Sequence, residues 1–328
     1  MKITLSHGSG GETMDALIRD VFIRRFSNPV LDLLEDAAVL PVDTQKIAFT
    51  TDSFVVTPLV FNGGDIGKMA VCGTVNDLAM RGAVPKYLTC AFILEEGLEI
   101  ETLDTVAKSM REAADEAGVM IVAGDTKVVQ GNGGLLVNTA GIGLMENAYD
   151  ISVRNSKPGD AVIISGLMAE HHACILSARM GIENAIQSDC APLNHMVKAL
   201  LDAGLEVHTL RDITRGGLGT VLNEIAKASK VDIALDGQTP LCSDTVQGFC
   251  DILGLDVMHM GNEGKMVLLL PKEQAQAAMD VLHAQPYGEN ARLIGEVKAG
   301  DGSVTTLTRG GSKRRIMPLT GEGLPRIC

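Results

Sequence analysis

Two domains of α/β (α+β) type are predicted by three features of the 328-residue sequence. Strand-like and helix-like segments alternate, the alternation restarts after a turn-rich junction at 155–160 (NSKPGD), and each half is long enough for its own core. Composition agrees: apolar residues make up 46% of the chain and charged ones 21%, which excludes a disordered polypeptide. With no Trp, 3 Tyr and 7 Phe, the cores are expected to be aliphatic. A net charge of −13 opposes binding to nucleic acid or to an anionic membrane surface.

In chain order, 46–51 (KIAFTT) is rich in β-formers and delivers Asp52 at its end. Over 65–80, Ile66, Ala70, Gly73, Asp77 and Met80 recur at helical spacing, so Asp77 falls on the stripe expected to be buried. An apolar strand at 87–94 follows, then a helix with Leu103, Val106, Met110, Ala113 and Ala117 in phase, stopped by Gly118. A short strand at 119–123 presents Gly124 and Asp125, and 135–145 reads as another strand. Beyond the junction come a strand at 161–165, helices near 172–180, 191–201, 217–228, 241–253 and 272–284, and strands near 231–235, 265–270 and 292–297. Periodicity stops after Gly310. The expected division is 1–155, 156–310 and a mobile tail over 311–328, whose extended reach is roughly 60 Å.

The seven cysteines include no C-x-x-C pair, so a zinc knuckle or disulfide framework is not expected. The opening MKITLSHGSGG breaks into polar residues and glycine before an apolar signal core can form, and the longest uncharged run, 128–145, is too rich in glycine and asparagine for a membrane span. A reduced, cytoplasmic protein is expected.

Five aspartates stand where strands or turns end: Asp36, Asp52, Asp77, Asp125 and Asp212. Mg²⁺ is held by a few carboxylates together with phosphate oxygens, a task that such a set suits. Gly8, Gly10 and Gly11 lie in a loop after His7, and Gly216 and Gly217 open a helix beside Arg211 and Arg215. Glycine lets backbone N–H groups approach an anion, and the cations complement a triphosphate. Neither stretch has Walker or dinucleotide-fingerprint spacing. Lys127 and Glu263 are charged groups in small, apolar surroundings, where proton affinity is readily shifted toward acid–base use. His171 and His172 lack a third ligand at suitable spacing and read as helix surface. Cys328 differs from the other thiols in place: at the end of a mobile arm it can carry a covalent group.

HGSGG at 7–11, EDAAVL at 35–40, TDSFVV at 51–56, GTVNDLAMRGAVP at 73–85, VAGDTKVV at 122–129, RDITRGGL at 211–218, NEGK at 262–265 and PRIC at 325–328 together resemble the hydrogenase maturation HypE family. That family shares a superfamily with aminoimidazole ribonucleotide synthetase, selenophosphate synthetase and thiamine monophosphate kinase. The resemblance implies the synthetase-like two-domain fold, with the N-terminal domain forming a shared β-barrel in a homodimer and ATP near the domain junction. It implies carbamoyl dehydratase activity. The carbamoyltransferase HypF loads the terminal cysteine, here Cys328, and the carbamoyl group is dehydrated to a thiocyanate with ATP. The cyano group then passes to iron on HypC–HypD and becomes a ligand of [NiFe]-hydrogenase. The implied site has Cys328, Lys127 and Glu263 as catalytic residues and Gly8, Gly10, Gly11, Asn76, Arg211, Arg215, Gly216 and Gly217 at the nucleotide. Mg²⁺ falls on Asp36, Asp52, Asp77, Asp125 and Asp212.

Two stretches depart from the family pattern. Ala169-Glu170-His171-His172 replaces a Gly-Asp-His-Gly turn, and 236–242 (DGQTPLC) replaces an acidic stretch ahead of Ile-Pro. Among alternatives, selenophosphate synthetase is disfavoured because no cysteine precedes Cys72, thiamine monophosphate kinase leaves the tail unexplained, and a scaffold docking through its C-terminal peptide needs no ATP site.

Overall fold

The structure is a computed structural model that describes residues 2–4, 7, 16–33, 42–44, 46–145, 149–308 and 310–319. Gly8, Gly10, Gly11, Asp36 and Cys328 lie outside the described residues.

The N-terminal half is built from β1 (Ile47–Phe54), β2 (Val60–Phe61), β3 (Gly64–Asp65), α1 (Ile66–Ala79), β4 (Val84–Glu95), α2 (Ile100–Ala117), β5 (Met120–Val129) and β6 (Leu135–Leu144). Its main sheet has the order β1-β6-β4-β5, and only the β4–β5 pair, bridged by α2, is parallel. Asp65 starts α1 by accepting from the N–H groups of Gly67 and Lys68 at 2.7 and 2.9 Å. Helix α1 lies against the sheet because Gly73 has no side chain: a Cβ there would stand 2.8 Å from the Phe54 ring. In β4 the alternation is that of a half-covered sheet, with Leu88, Cys90, Phe92 and Leu94 buried between. The other face leaves Phe49, Ile93 and Val129 exposed.

The C-terminal half comprises β7 (Asp160–Ile164), α3 (Glu170–Met180), α4 (Asn194–Asp202), β8 (Thr209–Asp212), α5 (Gly217–Ser229), β9 (Val231–Leu235), α6 (Asp244–Leu253), β10 (Met266–Pro271), α7 (Ala275–His283), β11 (Arg292–Ala299), β12 (Val304–Leu307) and β13 (Lys313–Arg315). These strands form one sheet in the order β13-β12-β9-β11-β7-β10-β8. Central strands β7 and β10 are apolar runs rather than alternating ones because both of their faces are covered.

The predicted elements recur with five differences. The strand expected at 46–51 runs on to Phe54, so Asp52 lies within β1 rather than at its end. The strand expected at 119–123 continues to Val129, so Asp125 and Lys127 lie within β5 rather than after it; pairing with β4 carries it on. Residues 313–319 do not belong to a free tail. A turn at Gly311 (φ 78°) folds β13 back onto β12, Ile316 is buried, and the Leu319 N–H donates to Thr220 Oγ1 at 3.1 Å. His171 and His172, expected on a helix surface, are both buried: the His171 ring stands edge-on to Phe61, and His172 Nδ1 accepts from the Gly261 N–H. Burial holds their pKa values down, to about 3 and about 4, so both rings are neutral. Finally, Asn76 is spent on structure. Its amide donates to the Ala191 carbonyl at 3.1 Å and accepts from the Leu193 N–H at 2.8 Å, clamping α1 to the C-terminal half.

Candidate active site at the domain junction

Strand β1 places Thr50 and Asp52 on the face that meets α1, and Thr50 Oγ1 donates to Asp77 Oδ2 at 2.8 Å. Strand β8 ends at Asp212, which pairs in register with Met266, three residues after Glu263. The junction therefore gathers carboxylates from four segments. Burial, then the charge of Asp77, lifts Asp52 to about 6, and the same two causes in the same order lift Asp212 to about 6. Glu263 is buried, and its pKa is held well above the carboxylate range by desolvation first, then by Asp189, Asp212 and Asp52. Arg215, exposed at the rim, partly offsets the repulsion at Asp52 and Glu263.

The main chain of Glu263 is fixed: its N–H donates to Asp189 Oδ1 at 2.9 Å, and its carbonyl accepts from the Asn76 amide at 3.5 Å. Asp189 was not apparent from sequence, because an acid in the turn SDCAPL carries no signal until the fold brings residue 189 against residue 263. Arg211 leans toward Glu224, with 3.4 Å between guanidinium and carboxylate. Both helix-opening glycines have positive φ, 80° for Gly216 and 65° for Gly217, and a Cβ on Gly217 would stand 2.6 Å from the main chain of His259. Gly217 thus serves close backbone packing.

Asp125 and Lys127 stand apart from this group. Asp52 pairs with Thr139, Thr139 with Cys90, and Cys90 with Gly124, so Asp125 falls on the opposite face of the sheet from Asp52. There Lys127 Nζ binds Asp125 Oδ1 at 2.8 Å, with both side chains more than half exposed, and that bond holds the Asp125 carboxyl below its usual range. Within one chain Asp125 therefore does not join Asp52, Asp77 and Asp212.

Hard carboxylate oxygens suit Mg²⁺. Among the described residues, however, no three His, Cys, Asp or Glu side chains stand close enough to enclose a metal ion.

The family described as AIR synthase related protein, N-terminal domain, matches residues 34–145, and its C-terminal domain counterpart matches 157–308. Carbamoyl dehydratase HypE of Escherichia coli (strain K12) is 43% identical over 335 residues, covering 99% of each chain. The crystal structure of hydrogenase maturation protein HypE in complex with ATP superposes with a TM-score of 0.94 at 46% identity, covering 99% of each chain. A HypE chain from a HypE–HypF complex matches with a TM-score of 0.81 at 44% identity, over 93% of this chain and 100% of that one. With both domains and nearly the whole length in common, this chain belongs to the carbamoyl dehydratase HypE family.

Proposed function

We propose that this protein uses ATP to dehydrate a carbamoyl group carried on the Cys328 thiol to a thiocyanate, the source of the cyanide ligands of [NiFe]-hydrogenase iron. The observation that carries the reading is the buried Glu263, its main chain fixed by Asp189 and Asn76 and its carboxyl close enough to feel Asp52 and Asp212, the groups that Asp77 also faces. An amide oxygen is a poor leaving group until it is phosphorylated, and the N–H protons must then be removed as phosphate departs. Base strength rises with pKa, so a desolvated carboxylate suits the second step. Asp52, Asp77 and Asp212 would hold Mg²⁺ through the ATP phosphates, where the cation supplies charge neutralisation. Arg215 lies at the rim to meet the phosphates, and Glu263 takes the proton.

Lys127 acts here only if a second copy supplies it, since its own chain places it on the far side of the sheet. The exposed apolar residues Phe49, Ile93 and Val129 on the open sheet face are where a homodimer would supply that second copy. Asp125 travels with Lys127 as its anchor. HypF as the carbamoyl donor and HypC–HypD as the acceptor complete the sequence of transfers; the first is supported by the HypE–HypF complex of the relative.

Intact mass reads the chemistry: loading adds about 43 Da and dehydration removes about 18 Da, both from atomic masses. A Cys328→Ala protein that gained and lost the same masses would sink the carrier role. Shared sites are tested by mixing Lys127→Ala chains with Glu263→Gln chains. If each site draws on two copies, random pairing restores roughly a quarter of wild-type activity, because half of the dimers are mixed and each holds one intact site. No restoration on mixing would exclude Lys127 of a second copy.

A further inference from the structure

A cavity of about 530 Å³ opens beside the proposed reaction site, lined by Gly166, Glu170, Asp189 and Lys265 among others. Asp189 and Lys265 are each only 8% exposed. The Lys265 side chain runs along Gly166, where a Cβ would stand 3.3 Å from the ammonium, so the missing side chain leaves Nζ open to the cavity. No carboxylate lies within ion-pair distance of Lys265 among the described residues, although Glu170 and Asp189 are close enough to feel its charge. Asp189 Oδ1 accepts from the Glu263 N–H, whereas Oδ2 has no hydrogen-bond partner. Glu170 is partly buried. A buried acceptor left unpaired, as Asp189 Oδ2 is, is costly unless something satisfies it.

We propose that this cavity is a second binding site for the carbamoyl group. Lys265 donates to the carbamoyl oxygen, and Glu170 and Asp189 accept from its NH₂. Lys68 and Glu289 also line the cavity, and within it Lys265 with Glu170 and Asp189 complements a planar primary amide, which has an acceptor at one end and two N–H donors at the other. The choice of a carbamoyl group over another amide rests on the dehydratase reading. Because Asp189 also holds the Glu263 main chain, the site adjoins the base without using its carboxylate.

The test uses nucleotide-free, full-length protein carrying Cys328→Ala and calorimetric titration with three probes. These are the 324–328 peptide with an S-carbamoylated thiol, the same peptide with a free thiol, and N-acetyl-S-carbamoylcysteine. The carbamoylated peptide is expected to bind at least about tenfold more tightly than the free-thiol peptide, a preference worth one or two net hydrogen bonds. Lys265→Met and Glu170→Gln should each abolish it and Glu263→Gln should keep it. Equal binding by the small probe means that the site accepts the group free as well as chain-borne; binding by the peptide alone assigns the chain-borne source. A preference that survives both Lys265→Met and the milder Glu170→Gln, or one lost only with Glu263→Gln, overturns the proposal. If the preference stands but ATP yields no thiocyanate, the dehydratase reading fails and the site remains.

Discussion

Glu263 at the domain junction and the Asp125–Lys127 pair on the open sheet face read alike in sequence, as charged groups among small and apolar neighbours, yet they stand in opposite environments. Glu263 is desolvated and surrounded by like charges, whereas Lys127 is neutralised by its neighbour in solvent. A group in the first environment holds its proton more tightly than an exposed carboxyl does. One in the second needs burial by something else before its charge acts strongly, because water screens it.

The largest effect expected from this contrast is on chemistry. Glu263→Gln should lower ATP-dependent thiocyanate formation by about 10²–10⁴-fold, the usual range for a general base, as read by intact mass. A variant within threefold of wild type would remove Glu263 from the mechanism. Next comes the clamp that holds the junction together. Asn76→Ala leaves the Leu193 N–H and the Ala191 carbonyl unpaired in a buried place and should cost about 2–3 kcal/mol in urea unfolding; a loss below about 0.5 kcal/mol would show that water replaces the amide.

The acidic group makes stability depend on pH with a definite sign. Asp52 and Asp212 have folded pKa values of about 6, above the ordinary carboxylate value, so the fold favours their protonated forms. Their stabilising contribution is complete below about pH 4 and is lost as pH rises through 6. Nucleotide-free protein should therefore melt higher at pH 5 than at pH 7.5, with Mg²⁺ and ATP narrowing the gap. A lower melting temperature at pH 5 would contradict that electrostatic picture. The smallest effect concerns the departure at 169. Ala169 has φ 74°, a left-handed conformation that favours glycine. Ala169→Gly should stabilise by about 0.5–1 kcal/mol, measurable by denaturant midpoint.

Much of this was legible beforehand because periodicity is a local property. The apolar face of β4 and the apolar run of β10 follow from which side chains must leave water, whereas the stripe expected to bury Asp77 is not seen: α1 is buried on nearly every side, and Asp77 and Lys68 are its two residues that stay partly exposed. The buried state of His171 and His172 was not legible, since helix α3 is covered by segments distant in sequence, among them residues 61, 188 and 261. Nor was β13, whose pairing with β12 comes from a hairpin turn and not from apolar phase.

By itself the sequence determined the α/β class and the presence of two domains, because hydrophobic spacing and turn chemistry act over a few residues; of the aspartates expected at strand or turn ends, Asp212 ends a strand, whereas Asp52, Asp77 and Asp125 lie inside their elements. Only the tertiary structure decided which of those charges meet. Strand register puts Asp52 and Asp125 on opposite faces of one sheet, and packing within the C-terminal half brings Asp189 to Glu263 across 74 residues. Electrostatics depends on distance and on access to water, and both are set by the packing of segments far apart in the chain.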